Sequence, residues 1–178
     1  MNFPEIQTQR LSLRDFRETD LSIFAEYRRD AALCYYQSWD TFNDAQVQAF
    51  WQDLKSSDFG QLNHWYQIAI ADRQSDLMLG DCAVHFRSPE EVELGYTMPF
   101  ALQGHGYMTE ALQHLRTSLV ERMGVRSLIA HTDVRNLPSM RLLERLGFNQ
   151  EQVIERAGFY KGEWCDDAIY RWTFDSAQ

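Results

Sequence analysis

The chain has 178 residues, 44% of them apolar and 24% charged, with a net charge of −9. That is enough for one domain that buries roughly 70% of the surface its unfolded form exposes, and far too apolar for a disordered polypeptide. The acidic balance argues against nucleic acid or anionic lipid as a partner, and no stretch approaches the ~18 apolar residues of a membrane span.

Cys34, Cys82 and Cys165 are odd in number and widely spaced, which fits neither a disulfide framework nor a zinc site. His64, His85, His114 and His131 likewise form no metal-ligand spacing. The expectation is a single domain over residues 1–178, cytoplasmic, with reduced thiols, no metal, and a neutral or cationic partner.

Residues 10–16 alternate as a strand would, and Thr19 and Asp20 are placed to cap a helix carrying Leu21, Phe24 and Ala25. A second helix spans about Asn43 to Lys55, with Val47, Phe50, Trp51 and Leu54 on one face. The aromatic loop Tyr35-Tyr36-Gln-Ser-Trp39 lies between them. From His64 to Met98 the period is two, and three antiparallel strands in a meander account for it.

A long helix follows from about His105 to Met123, ended by Gly124, and Ser127 to Thr132 is a short apolar strand. Strand, helix and strand from Val92 to Thr132 then form a right-handed parallel crossover. Asn136 opens another helix that closes at Gly147, and Phe148 to Phe174 supplies two more strands. The fold class is α/β (α+β): a mixed, mostly antiparallel sheet of about seven strands, flanked by helices, with one parallel strand-helix-strand unit.

In such a unit ligands bind beyond the carboxyl end of the strand, which points to Gln103-Gly-His-Gly-Tyr-Met108. Gly104 and Gly106 permit positive φ, so consecutive N–H groups can converge on an anion while the helix dipole adds its share. Two glycines before a helix are also what a tight turn that binds nothing would contain. The surroundings, Thr109-Glu110-Ala111-Leu112 and then Asn136-Leu-Pro-Ser139 ahead of Leu146-Gly147-Phe148, decide for a ligand turn.

Those segments, with Thr8-Gln-Arg-Leu-Ser-Leu-Arg14 and Glu93-Leu-Gly-Tyr96, resemble the GNAT superfamily of acetyl-CoA-dependent N-acetyltransferases. Within it they are closest in pattern to the ribosomal-protein N-terminal acetyltransferases of the RimJ and RimL type. The family's cofactor motif falls on Gln103, Gly106 and Met108, and Met108 departs from it. The resemblance implies that backbone at Tyr96, Thr97 and Met98 pairs with the pantetheine arm of acetyl-CoA. Amides of Gln103, Gly104, His105, Gly106, Tyr107, Met108 and Thr109 would hold its pyrophosphate, and Asn136 would touch it near the pantetheine. It also implies Ser139 as a cofactor contact close to the CoA sulfur and as the acid that protonates the leaving thiolate, and Glu93 as the base that deprotonates the amine. Helix capping accounts equally for Asn136 and Ser139, and strand alternation leaves Glu93 open as a solvated carboxylate.

An α-amine, with pKa about 8, needs little help to lose its proton, whereas a lysine-type amine near about 10.4 needs more. Where some relatives carry a second carboxylate after the serine, this chain has Ala157-Gly158-Phe159, so Glu155, Tyr160 or Glu163 would have to substitute. Acceptor contacts are expected from Tyr35, Tyr36 and Trp39 and from Tyr160 and Trp164, although any of these aromatics could be core. Asp166 and Asp167 are placed to attract an amine or to be solvated turn residues.

The expected activity is direct acetyl transfer from acetyl-CoA to a primary amine, either a protein N-terminus or a small molecule. No cysteine adjoins Gly106 or Asn136 to carry an acyl intermediate. The competing readings are an acyl-CoA-binding regulatory module with little turnover and, more weakly, a nucleotide-binding protein lacking a Walker lysine. The resemblance leaves a homodimer open.

Overall fold

The computed structural model describes residues 2–37 and 39–174. In chain order the strands are β1 (Ile6–Gln7), β2 (Leu11–Arg14), β3 (Trp65–Asp72), β4 (Met78–Phe86), β5 (Glu91–Thr97), β6 (Ser127–Asp133), β7 (Asn149–Tyr160) and β8 (Glu163–Thr173). The helices are α1 (Leu21–Arg28), α2 (Ala31–Cys34), α3 (Asp44–Ser56), α4 (Tyr107–Met123) and α5 (Leu137–Arg145). All the strands join one mixed sheet in the order β1-β2-β3-β4-β5-β6-β8-β7. The expected meander is β3, β4 and β5, and β5 with β6 is the expected parallel pair. The sheet has eight strands rather than about seven, because two-residue β1, too short for any periodicity, pairs Ile6 with Leu13.

Alternation along the strands sends side chains to two helix layers. Ile68, Ile70, Val84, Val92, Leu94 and Leu128 pack with Ala111, Leu112, Leu115 and Leu119 of α4 and Leu143 of α5. On the other face, Ala69 and Met78 pack with Phe24 and Tyr27 of α1 and with Phe50, Trp51 and Leu54 of α3. Helix ends follow local chemistry. Asn43 and Gln46 form a capping box at α3, and Gly124 ends α4 in the left-handed conformation (φ +72°).

One expectation near the N-terminus needs correction. Strand β2 forms where expected, with Leu11, Ser12, Leu13 and Arg14 all buried. Asp20, however, does not cap α1 with its side chain. It closes a short 3-10 turn and turns inward, 3% exposed, where its carboxylate takes the Arg14 guanidinium at 2.7 and 3.1 Å and the Arg17 amide at 2.8 Å. A buried arginine on β2 needed that carboxylate more than the helix end did.

Removing one partner of such a pair leaves a charge uncompensated inside the protein. Asp20→Ala is therefore expected to lower the unfolding free energy by about 3 kcal/mol, read as a reduced urea midpoint with unchanged slope.

Candidate functional site

Strands β5 and β6 stay hydrogen-bonded only from Glu91↔Ser127 to Leu94↔Ala130. Beyond that point β5 continues to Thr97 beside β4, and β6 continues to Asp133 beside β8. The sheet therefore opens where Gly95 to Thr97 and His131 to Asp133 diverge. Two structures meet at this opening: the turn into α4 and a cavity on the α1–α3 face.

The turn is built as its glycines suggested. After β5, Pro99 leads into a 3-10 turn over Phe100–Leu102, and the Gln103 side chain donates to the Met98 carbonyl at 2.8 Å, closing the loop. Gly104 and Gly106 both sit at positive φ (+79° and +80°), and space around Gly104 is open, so its conformation rather than crowding calls for glycine. Helix α4 starts at Tyr107, two residues later than expected, and amides from Gly104 to Thr109 have no backbone acceptor among the described residues. These are the orphan donors of a helix N-terminus, extended by a glycine loop.

Met108 belongs to the core by its side chain, so the thioether faces away from the donors and only its amide belongs to the turn. Sequence reasoning had no means to see what braces the turn. Arg10, in the β1–β2 hairpin, donates to the His105 carbonyl at 2.9 Å and lies 4.6 Å over the Tyr107 ring. Its Nε also donates to Glu110 at 2.7 Å, and Thr8 donates to the same carboxylate at 2.6 Å. Burial pushes the Glu110 carboxyl up, but the hydrogen bonds from Thr8 and Arg10 outweigh it and hold the group below its ordinary range. His105 is exposed; its ring stacks on Tyr107 and its Nδ1 lies 2.9 Å from the Gln103 carbonyl.

Asn136 and Ser139 sit across the opening. Asn136 caps α5, accepting the Ser139 amide at 3.3 Å, so the capping role is realised. The Ser139 hydroxyl is left free for another contact, and it shares a 2.7 Å hydrogen bond with the hydroxyl of Tyr96. Burial raises the Tyr96 phenol far above its ordinary range, so the phenol keeps its proton. Only the backbone of Tyr96 was expected to matter.

The cavity, about 530 Å³, runs from this opening to the helices of the opposite layer. Tyr35, Tyr36, Trp39 and Tyr160 all line it, as expected. Trp164 is not among the lining residues. It lies half-exposed on β8, edge-on to Phe159 at 5.5 Å and under the Arg156 guanidinium at 4.5 Å. Trp39 packs against Arg28 at 4.1 Å, and Arg28 forms a buried pair with Asp81 on the cavity wall at 2.9 Å.

A roof covers one side of the cavity. The tight turn between β7 and β8 places Lys161 so that its ammonium donates to the carbonyls of Cys34 (2.6 Å) and Gln37 (2.7 Å). Arg135 adds a second tie, bonding Asp133 at 2.6 Å, Glu163 at 2.9 Å and the Tyr35 hydroxyl at 3.2 Å.

Acidic groups dominate the walls, and most are committed. Asp81 belongs to Arg28, Asp133 to Arg135, and Glu93 to Arg87, whose Nε and Nη2 approach Glu93 Oε2 at 2.9 and 2.7 Å. Asp167 also lines the cavity, within strand β8 rather than in a turn. Burial pushes its carboxyl above the usual range, the negative charges of Asp133 and Asp166 push the same way, and the His131 charge opposes them. Asp166 instead accepts the Arg156 amide at 2.8 Å. Of the substitutes considered for the missing acid at Gly158, Glu155 is exposed and not part of the cavity wall, and Glu163 is tied to Arg135. Among the described residues no helix is long and apolar enough to cross a membrane.

Comparison with known proteins agrees with this arrangement. Residues 10–149 match the model of the acetyltransferase (GNAT) domain family. An uncharacterized N-acetyltransferase of Bacillus subtilis, YnaD, is 24% identical over 166 residues, covering 93% of this chain and 94% of its own. Among solved structures, RimL, a ribosomal L7/L12 alpha-N-protein acetyltransferase in complex with coenzyme A, superposes with a TM-score of 0.85 at 20% identity, covering 97% of this chain and 99% of its own. Spermidine N-acetyltransferase of Vibrio cholerae, in complex with CoA and spermine, gives 0.80 at 15% identity, covering 93% and 96%. The family match spans the braced turn, the strand opening and the start of α5 together, and the chain belongs to the GNAT family of N-acetyltransferases.

Proposed function

We propose that this acetyltransferase moves acetyl from acetyl-CoA directly to a primary amine held in the 530 Å³ cavity. The observation that carries the reading is the parting of β5 and β6 beyond Leu94 and Ala130, with a donor-rich turn at one side and an acidic, aromatic chamber at the other. Amides from Gly104 to Thr109 hold the pyrophosphate, the Gln103 amide being taken by the Phe100 carbonyl, and the free edge of Tyr96 to Met98 pairs with the pantetheine arm. Bound there, acetyl-CoA supplies an acetyl group activated as a thioester.

Ser139 stands at the opening, where its hydroxyl can protonate the departing sulfur while the Tyr96 phenol, 2.7 Å away, restores the proton. Asp167 attracts the cationic form of the acceptor, and Tyr35, Tyr36, Trp39 and Tyr160 pack its carbon skeleton. Of the solved relatives named above, one is described as an alpha-N-protein acetyltransferase and the other as a spermidine N-acetyltransferase, and the roofed chamber suits a small amine or the first residue of a peptide.

Direct attack is supported by the state of the thiols. Cys34 and Cys82 are 1% and 0% exposed. Cys165 lines the cavity, but burial and the Asp133 charge raise its thiol, with Arg135 opposing, so it stays protonated and a poor nucleophile.

Incubation with acetyl-CoA and a mixed library of N-terminal peptides and small amines, read by mass, should yield an acceptor heavier by one acetyl group and free thiol. Coenzyme A binding without acetylation of any acceptor would instead establish a binding module. Gly106→Ala forces a side chain into the left-handed region and within 3.4 Å of Arg10, and should weaken coenzyme A binding about tenfold by calorimetry. Ser139→Ala, with Asn136 still capping α5, should cut kcat about 100-fold while leaving coenzyme A affinity unchanged.

A further inference from the structure

Glu93 was expected to take the amine's proton, but its geometry directs that role elsewhere. Oε2 accepts from both Nε and Nη2 of Arg87, and the side chain is 15% exposed. The other oxygen, Oε1, faces Nε2 of His131 at 4.0 Å, a distance for attraction between charges rather than a hydrogen bond.

His131 occupies a singular position. It is the first residue of β6 beyond the last β5 pair, Leu94↔Ala130, so its side chain emerges where the strands part. It is also the one exposed residue of that strand, and its ring lines the cavity. Carboxylates from three strands line the cavity with it: Glu93 on β5, 4.0 Å away, Asp167 on β8, whose charge it feels, and Asp133 on β6 itself. The nearby cations Arg87 and Arg135 are spent on Glu93 and Asp133. His85 on β4 lies on the far side of Glu93, 3.7 Å from Oε2, and across the cavity Arg28 and Asp81 neutralise each other.

We propose that His131 is the group that accepts the proton from the acceptor amine, and that Glu93 is a positioning residue that steadies the imidazolium so formed. This rests on the acetyltransferase reading given above. The protonated acceptor nitrogen gives one proton to the neutral His131 ring, which passes it to solvent. The lone pair thus freed forms the C–N bond as the C–S bond breaks. The sulfur leaves with the bonding pair and takes up one proton, matching the second one the nitrogen sheds.

The test compares His131→Gln, His131→Ala and Glu93→Gln with the wild type, using whichever amine the library identifies. His131→Gln should lower kcat about 100-fold with coenzyme A affinity unchanged, and the fall in rate at acid pH, set in the wild type by the imidazole, should disappear. Added imidazole should restore His131→Ala, and an acceptor already neutral at the assay pH should lose less than a strongly basic one. Glu93→Gln should keep the acid limb, displaced to lower pH because a neighbouring negative charge is gone. His131→Gln with wild-type rate and profile, or a loss that imidazole and acceptor basicity leave untouched, overturns the assignment while the acetyltransferase reading stands. Loss of the acid limb in Glu93→Gln alone assigns the proton to Glu93 and overturns it too. Failure of the wild type to acetylate any acceptor overturns the reading itself, and the assignment with it.

Discussion

Everything in the site depends on one parting of two strands. As long as β5 and β6 are paired, their edges satisfy each other and present nothing to a ligand. Beyond Leu94 and Ala130 they part, β5 continuing beside β4 and β6 beside β8. Free backbone edge, the helix start and the cavity all appear at that point. Parallel pairing is what puts them at the same end, since the carboxyl ends of both strands and the amino end of the connecting helix α4 then coincide.

The opening would be a weakness without reinforcement, and long-range polar contacts supply it on each side. On the turn, Arg10 and Thr8 reach Glu110 and the His105 carbonyl from the first hairpin. On the cavity side, Arg135 ties the end of β6 to Glu163 and Tyr35. Ser139, on helix α5, and Tyr96, on β5, bond across the opening. Rigid donors and a fixed hydroxyl are what group transfer requires, because the reacting atoms must be held before the barrier is crossed.

Much of this was legible in the sequence, and the reason is local. Glycines at 104 and 106, the Gly124 cap, the Asn136 cap and the period-two meander each express a constraint that acts within a few residues. What escaped the sequence was set by distant partners. Arg10 and Glu110 are far apart in the chain, so nothing near either announces the brace. Asp20 reads as a helix cap until Arg14 is known to be buried beside it. Trp164 pairs with Phe159 of β7 beyond the reach of β6 and lies outside the chamber, whereas Asp167, three residues on and on the other face, pairs with Asp133 of β6 and falls inside. Met108 looked discordant because the motif concerns its amide, whereas its identity answers to the core.

The attachment of the roof has a further meaning. Lys161 grips the main-chain carbonyls of Cys34 and Gln37, not their side chains. The anchor is therefore indifferent to which residues stand at 34–37, so long as the chain passes the same way. Tyr36, which faces the chamber, is free to be exchanged during divergence without releasing this anchor, whereas Tyr35 also carries the hydroxyl that Arg135 holds. A scaffold fastened by backbone and furnished by side chains can change the lining of its chamber one residue at a time.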